Sequence, residues 1–170
     1  MERVLVSACL LGSPVRYDGT HKRSASDVLQ QWLIEGRVIA VCTEHAGGLP
    51  TPRQPAEIVG RASGASVLSG VVHVIDQAAM DQTEAFVAGA RHALGLVQAH
   101  GIRVAVLKEG SPSCGANLVH DGSFSGMQVP GQGVTAALLA SAGIQVFSEA
   151  QFEDADEALR WFASHGASAC

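Results

Sequence analysis

Three cysteines, Cys9, Cys42 and Cys114, occupy equivalent places in the sequence: each follows an apolar run, directly or after a short loop. A single free cysteine is commonly no more than a small buried hydrophobe. Three at equivalent strand ends point instead to a shared site, because the thiolate is both a nucleophile and a soft metal ligand. Three thiolates suit two kinds of metal centre. Zinc would need a fourth ligand, for which His45 is nearest, but the paired short spacings of structural zinc sites are absent. An iron–sulfur cluster held by three cysteines leaves one iron without a protein ligand, a Lewis acid open to substrate. Cys170 follows Gly166-Ala167-Ser168-Ala169 and is read as a bystander.

Polar residues gather near the same three points. Glu44 comes two residues after Cys42, where a carboxylate could serve as general base towards a water or stand as an ordinary solvated loop residue. Ser111 and Ser113 precede Cys114 in a loop stiffened by Pro112, and either hydroxyl could orient a substrate or cap the turn. Arg16-Tyr17-Asp18-Gly19 could line a pocket or form a simple turn. Gly131-Gln132-Gly133-Val134-Thr135 opens a helix, where free N–H groups could receive an anion or the glycines could serve packing. Cys9 and Arg16 do not make the C-x5-R loop of a cysteine phosphatase, because Val15 stands where its arginine belongs. His21, His73, His92, His100, His120 and His165 show no ligand spacing and are read as surface or satisfied core residues.

The elements that must position these groups alternate in type. Val4–Ala8, Val38–Val41, Val104–Leu107 and Ile144–Phe147 are apolar runs of buried-strand length. Helices are expected over Ser24–Glu35, with Ser26 as cap and Val28, Leu29, Trp32 and Leu33 on one face. Others are expected over Asp81–His100, Gly131–Ala142 and Asp154–Ser164. Small hairpins are expected at Ser66–Leu68 with Val71–Ile75, and at Leu118-Val119 with Phe124. Strands alternating with helices predict an α/β fold: a Rossmann-like three-layer arrangement with a mainly parallel sheet and small hairpin insertions. In such a sheet ligands bind at the carboxyl ends of the strands, which is where the three cysteines fall.

The 170 residues are expected to form one domain, 1–170. A hydrophobic share of 47% with 16% charged residues excludes a disordered chain. A net charge of −5 without a basic block argues against broad nucleic-acid binding, though one nucleotide in a pocket is compatible with it. No apolar stretch is long enough to span a membrane. The chain is expected to act in the cytoplasm, where cysteines serve metals or catalysis rather than disulfides.

Longer motifs then make a pattern. They include Val6-Ser7-Ala8-Cys9-Leu10-Leu11-Gly12, Arg16-Tyr17-Asp18-Gly19, Cys42-Thr43-Glu44 and Pro55-Ala56-Glu57-Ile58. Further along stand Leu107-Lys108-Glu109-Gly110-Ser111-Pro112-Ser113-Cys114-Gly115, Asp121-Gly122-Ser123-Phe124-Ser125-Gly126 and Gly131-Gln132-Gly133-Val134-Thr135-Ala136. Nearly end to end, the chain resembles the thiouracil desulfidase family, small bacterial proteins formerly grouped as a domain of unknown function. The resemblance implies a [4Fe-4S] cluster on Cys9, Cys42 and Cys114 with one iron lacking a protein ligand. It implies non-redox removal of sulfur from a thiolated pyrimidine, with Glu44 as acid/base group and Ser111 as assisting hydroxyl. Asp18, Arg53, Ser113, Gly122 and Gly126 are the expected substrate-pocket residues. Two positions depart from many relatives: Val15 replaces a cysteine, and Thr43 replaces a proline, which predicts a freer loop around Glu44. Two other readings remain open: a persulfide-based sulfur-handling enzyme without a cluster, and a non-enzymatic iron–sulfur sensor or binding protein.

Overall fold

In the computed structural model, which describes residues 1–166, the strongest apolar runs form a parallel sheet. Strand β1 (Val4–Ser7) is buried throughout and leads into a tight helical turn, Ala8–Leu11. Helix α1 (Asp27–Ile34) is capped by Ser26, whose hydroxyl accepts from the Leu29 amide. Strand β2 (Val38–Val41) and the short helix α2 (Thr43–Ala46) follow. Next come β3 (Ala56–Ile58), α3 (Gly64–Leu68), β4 (Val74–Asp76) and the long α4 (Thr83–His100). Strand β5 (Val104–Leu107) precedes the ribbon of β6 (Leu118–His120) and β7 (Gln128–Pro130). Helix α5 (Val134–Ser141), strand β8 (Gln145–Ser148) and helix α6 (Phe152–His165) complete the described chain.

The sheet runs in the order β2-β1-β5-β8, all parallel. Alternate side chains of its strands face opposite ways and build two cores. Val4, Val6, Val104 and Val106 pack with Leu29 and Trp32 of α1 and with Phe152, Ala155 and Leu159 of α6. Leu5, Ala105 and Leu107 pack with Ala93 and Val97 of α4 and with Ala136 and Leu139 of α5. The expected three-layer α/β arrangement is therefore present. Among the described residues no helix is long and apolar enough to cross a membrane. Cys170 lies outside the described residues.

Two local expectations fail. Ser66–Leu68 is not a hairpin strand but the end of α3, and β4 pairs antiparallel with β3 instead. The reason is tertiary: a Cβ on Gly64 would come within 2.3 Å of the Gly133 carbonyl oxygen, so its bare backbone lets α3 lie directly on the start of α5, with Val67 buried beneath. The strand paired with β6 is β7, not the segment at Phe124, which sits in the connecting loop with φ 57°. On α1, Leu33 is half exposed rather than sharing the buried face of Leu29 and Trp32.

Helix α2 reaches its place through another close approach. A Cβ on Gly89 of α4 would lie 1.9 Å from the Thr43 carbonyl oxygen. Gly89→Ala should therefore push α2 away and cost about 1–3 kcal/mol, the range for overpacking. Gly95→Ala on the exposed side of the same helix meets nothing within 4 Å and should gain roughly 0.5–1 kcal/mol from helix propensity. Denaturant unfolding of the two variants checks the contrast.

Candidate active site

β1, β2 and β5 end level at one edge of the sheet. Just past β1, the Ala8–Leu11 turn holds Cys9, and Gly12 closes it with φ 97°. Past β2, Cys42 is the N-cap of α2, which places Thr43 and Glu44 in the first helical turn. Past β5, the loop 108–115 carries Ser111, Ser113 and Cys114. Helix α5 grips this loop: the amides of Gly133, Val134 and Thr135 each donate at 2.8 Å, to the carbonyls of Gly115, Pro112 and Ser113. A Cβ on Gly133 would sit 2.4 Å from the Ser113 carbonyl, so glycine is what permits the grip. The N–H groups read as an anion site are thus already engaged.

All three cysteines line one cavity of about 430 Å³. The two antiparallel ribbons also line it, through Ala56 and Glu57 of β3, His120 of β6 and Gln128 of β7. Among the described residues no group of three His, Cys, Asp or Glu side chains is arranged to hold a single metal ion. His45 is exposed and off the cavity wall, so a mononuclear zinc site completed by His45 is not built here. The donor set, three free thiols lining one cavity, fits a metal cluster better than a single ion.

Burial dominates the thiols. It pushes Cys9 up to about 11, helped by the neighbouring Cys42 and opposed by Arg16 and Lys108. It pushes Cys114 up to about 12, opposed first by the Thr43 hydroxyl. Burial also raises Cys42, against the backbone N–H of His45. The uncomplexed cysteines are therefore neutral thiols at neutral pH, and a metal that binds them must displace protons.

Glu44 is fixed from two sides. Arg53 donates through Nε (2.8 Å) and Nη2 to Glu44 Oε2. The same guanidinium also donates to the carbonyls of Val15 and Pro50 and to Thr51 Oγ1. Ser111 Oγ donates to Glu44 Oε1 at 3.3 Å and accepts from the amides of Ser113 and Cys114, each at 3.1 Å. Ser111 therefore caps its turn, and the same hydroxyl faces Glu44. The expectation of a freer loop at Thr43 is overturned. Thr43 is buried, and its hydroxyl lies 2.5 Å from Ser113 Oγ and 3.6 Å from Cys114 Sγ.

Of the expected pocket residues, Arg53 and Gly126 line the cavity. Asp18, Ser113 and Gly122 are not on its wall. Asp18 accepts from Thr20 through the amide (3.0 Å) and hydroxyl (2.6 Å), shaping the turn that carries Arg16 and Tyr17 to the cavity. Ser113 belongs to the cysteine loop, and its side chain is fully buried. The Gly122 amide donates to Glu57 Oε1 at 3.0 Å. Sequence reasoning missed Lys108, Phe124, His120 and Gln128 as wall residues. His120 Nδ1 lies 2.9 Å from the Gly110 carbonyl, which can only accept, so Nδ1 carries the proton. Position beside Asp121-Gly122 and alternation along β6 were the available signals.

A sequence profile described as 2-thiouracil desulfurase matches residues 4–151. The chain belongs to the 2-thiouracil desulfurase family. A solved structure described as the [4Fe-4S]-dependent thiouracil desulfidase TudS is similar to it with a TM-score of 0.86 and 49% identity, covering 95% of this chain and 99% of that one. YbbK of Bacillus subtilis (strain 168), described as uncharacterized, is 40% identical over 151 residues, 89% of this chain and 98% of the relative. The 2-thiouracil desulfurase match spans every strand of the sheet and every cysteine on the cavity.

The raised thiols fix a pH dependence. A thiol ordinarily near 9 that is held at about 11 or 12 in the fold keeps its proton longer than in the unfolded chain. The associated stability is complete below about pH 9 and is lost as pH rises through the folded values. The thermal midpoint of the metal-free protein should fall above that pH, and the combined Cys9→Ala, Cys114→Ala variant should show a shallower decline.

Proposed function

We propose that the protein is a [4Fe-4S]-dependent desulfidase that converts the C=S of a thiolated pyrimidine, of thiouracil or thiouridine type, to C=O and releases sulfide. The observation that carries this reading is the convergence of Cys9, Cys42 and Cys114 with Glu44 and Ser111 on one cavity. Family membership and the likeness to a desulfidase described as [4Fe-4S]-dependent support it. The three cysteines would hold the cluster, which when bound supplies an iron without a protein ligand, a soft Lewis acid matched to a thiocarbonyl sulfur.

Glu44 takes a proton from the attacking water. Arg53 places two donors on Oε2, so Oε1, which takes only the Ser111 hydroxyl, is the oxygen that receives it. Ser111 aligns that oxygen with the cysteine loop through its two amide contacts. The water oxygen bonds to the ring carbon and the C–S bond breaks. One water is consumed, its two protons leave with the sulfur as hydrogen sulfide, Glu44 returning the one it took, and there is no net electron transfer. Arg53 and Gly126 shape the pocket directly, while Asp18, Ser113 and Gly122 act from behind its wall. Reaction in the cytoplasm suits the free Cys9, Cys42 and Cys114.

Anaerobic reconstitution followed by sulfide release from thiouracil and thiouridine tests the reading. Cys9→Ala, Cys42→Ala and Cys114→Ala should each abolish stable iron incorporation. A colourless, iron-free protein that still releases sulfide would replace it with a persulfide mechanism. Glu44→Gln should keep its iron and lose about 10²–10⁴ in turnover, whereas Ser111→Ala should lose less, because water can partly replace one hydroxyl contact. Full turnover in iron-loaded Glu44→Gln would remove Glu44 as base.

A further inference from the structure

We propose that Thr43 is a positioning residue for the ligand sulfur of Cys114, the last link of a buried hydroxyl chain that donates a hydrogen bond onto that sulfur and so tunes the bound cluster. This rests on the cluster reading of the three cysteines. The chain joins three elements: Thr43 from α2, Ser113 from the cysteine loop and Thr135 from α5. All three are buried, with 1%, 0% and 0% of their surface exposed. Thr135 Oγ1 lies 2.8 Å from Ser113 Oγ, Ser113 Oγ lies 2.5 Å from Thr43 Oγ1, and Thr43 Oγ1 lies 3.6 Å from Cys114 Sγ.

Each hydroxyl has one proton and can rotate, so the distances alone leave the direction of the chain open. A metal-bound thiolate decides it, because that sulfur can only accept. Thr43 must then donate to Cys114, Ser113 to Thr43 and Thr135 to Ser113. Each donation polarises the next, and the low dielectric around these buried hydroxyls strengthens them. A charge-assisted hydrogen bond onto a ligand sulfur withdraws electron density from it, raises the cluster's reduction potential and opposes loss of the ligand. The competing role is purely structural: three hydroxyls satisfying one another in a packed interior.

The test uses anaerobically reconstituted protein. Thr43→Val keeps the shape and removes the hydroxyl, Thr43→Ser restores it, and Thr135→Val removes the far end. Two quantities are read, the midpoint potential of the cluster and the rate of iron release to a chelator. Circular dichroism of the metal-free variants checks folding. Thr43→Val should shift the potential to more negative values and release iron roughly tenfold faster, the change expected for one charge-assisted bond. Thr43→Ser should return both towards the original values, and Thr135→Val should move both the same way by less. If Thr43→Val does not fold, the Thr135→Val shift decides alone. Unchanged potential and release in folded Thr43→Val, no recovery in Thr43→Ser, or no shift in Thr135→Val when it decides, would overturn the role of Thr43. An unmodified protein that takes up no iron would overturn the cluster reading, and this role with it.

Discussion

Parallel pairing in register is what the site depends on. Val4 stands level with Val38 on one side and Val104 on the other, so β1, β2 and β5 run alongside each other and finish together. Because all three point the same way, the residues that follow them meet at one edge. β1 is the first strand in sequence yet lies inside the sheet, with α1 crossing to β2 over one face and α4 leading to β5 over the other. The edge beyond such a reversal is where open α/β sheets hold ligands. A one-residue slip between β1 and β5 would exchange the two cores and separate Cys9 from Cys114. The apolar layers on both faces therefore serve the site as well as the fold.

Within that frame, polar groups are divided by depth. Fully buried at the cysteine loop lie the hydroxyls of Thr43, Ser113 and Thr135, which need few partners. Nearer the cavity lies a carboxylate, which is costly to desolvate without a counter-charge. Arg53 supplies the charge and also binds the carbonyls of Val15 and Pro50. The ion pair thus joins the segment after Cys9 to the segment after Cys42, coupling the pose of Glu44 to loops that carry none of the thiols.

The sequence was most informative where one physical signal dominated. Fully buried strands betray themselves as apolar runs, and β1 and β5 are buried at every residue. Ser26 announced α1 through its capping hydroxyl. The cysteines were legible because strand ends in a parallel sheet converge. Short elements were less so: α3 exists because Gly64 can touch the start of α5, a contact made across a long stretch of chain. Thr43 looked like an unconstrained substitute for proline, but its partners, Ser113 and Cys114, come from a different strand end. The pairing of Glu44 with Arg53, and the cavity contacts of His120 and Gln128, likewise depend on how loops close.

The loop 121–127 beside the cavity is held by Glu57. Its carboxylate accepts from the amides of both Gly122 and Phe124, and Phe124 keeps a left-handed backbone beside the cavity. A carboxylate with two backbone donors is a firm anchor for a loop that contains no regular structure. Conformational freedom that such a loop would otherwise surrender on meeting a ligand has already been surrendered during folding. The recess is a preformed mould, and the entropy of shaping it belongs to the stability of the protein rather than to the affinity of whatever it encloses.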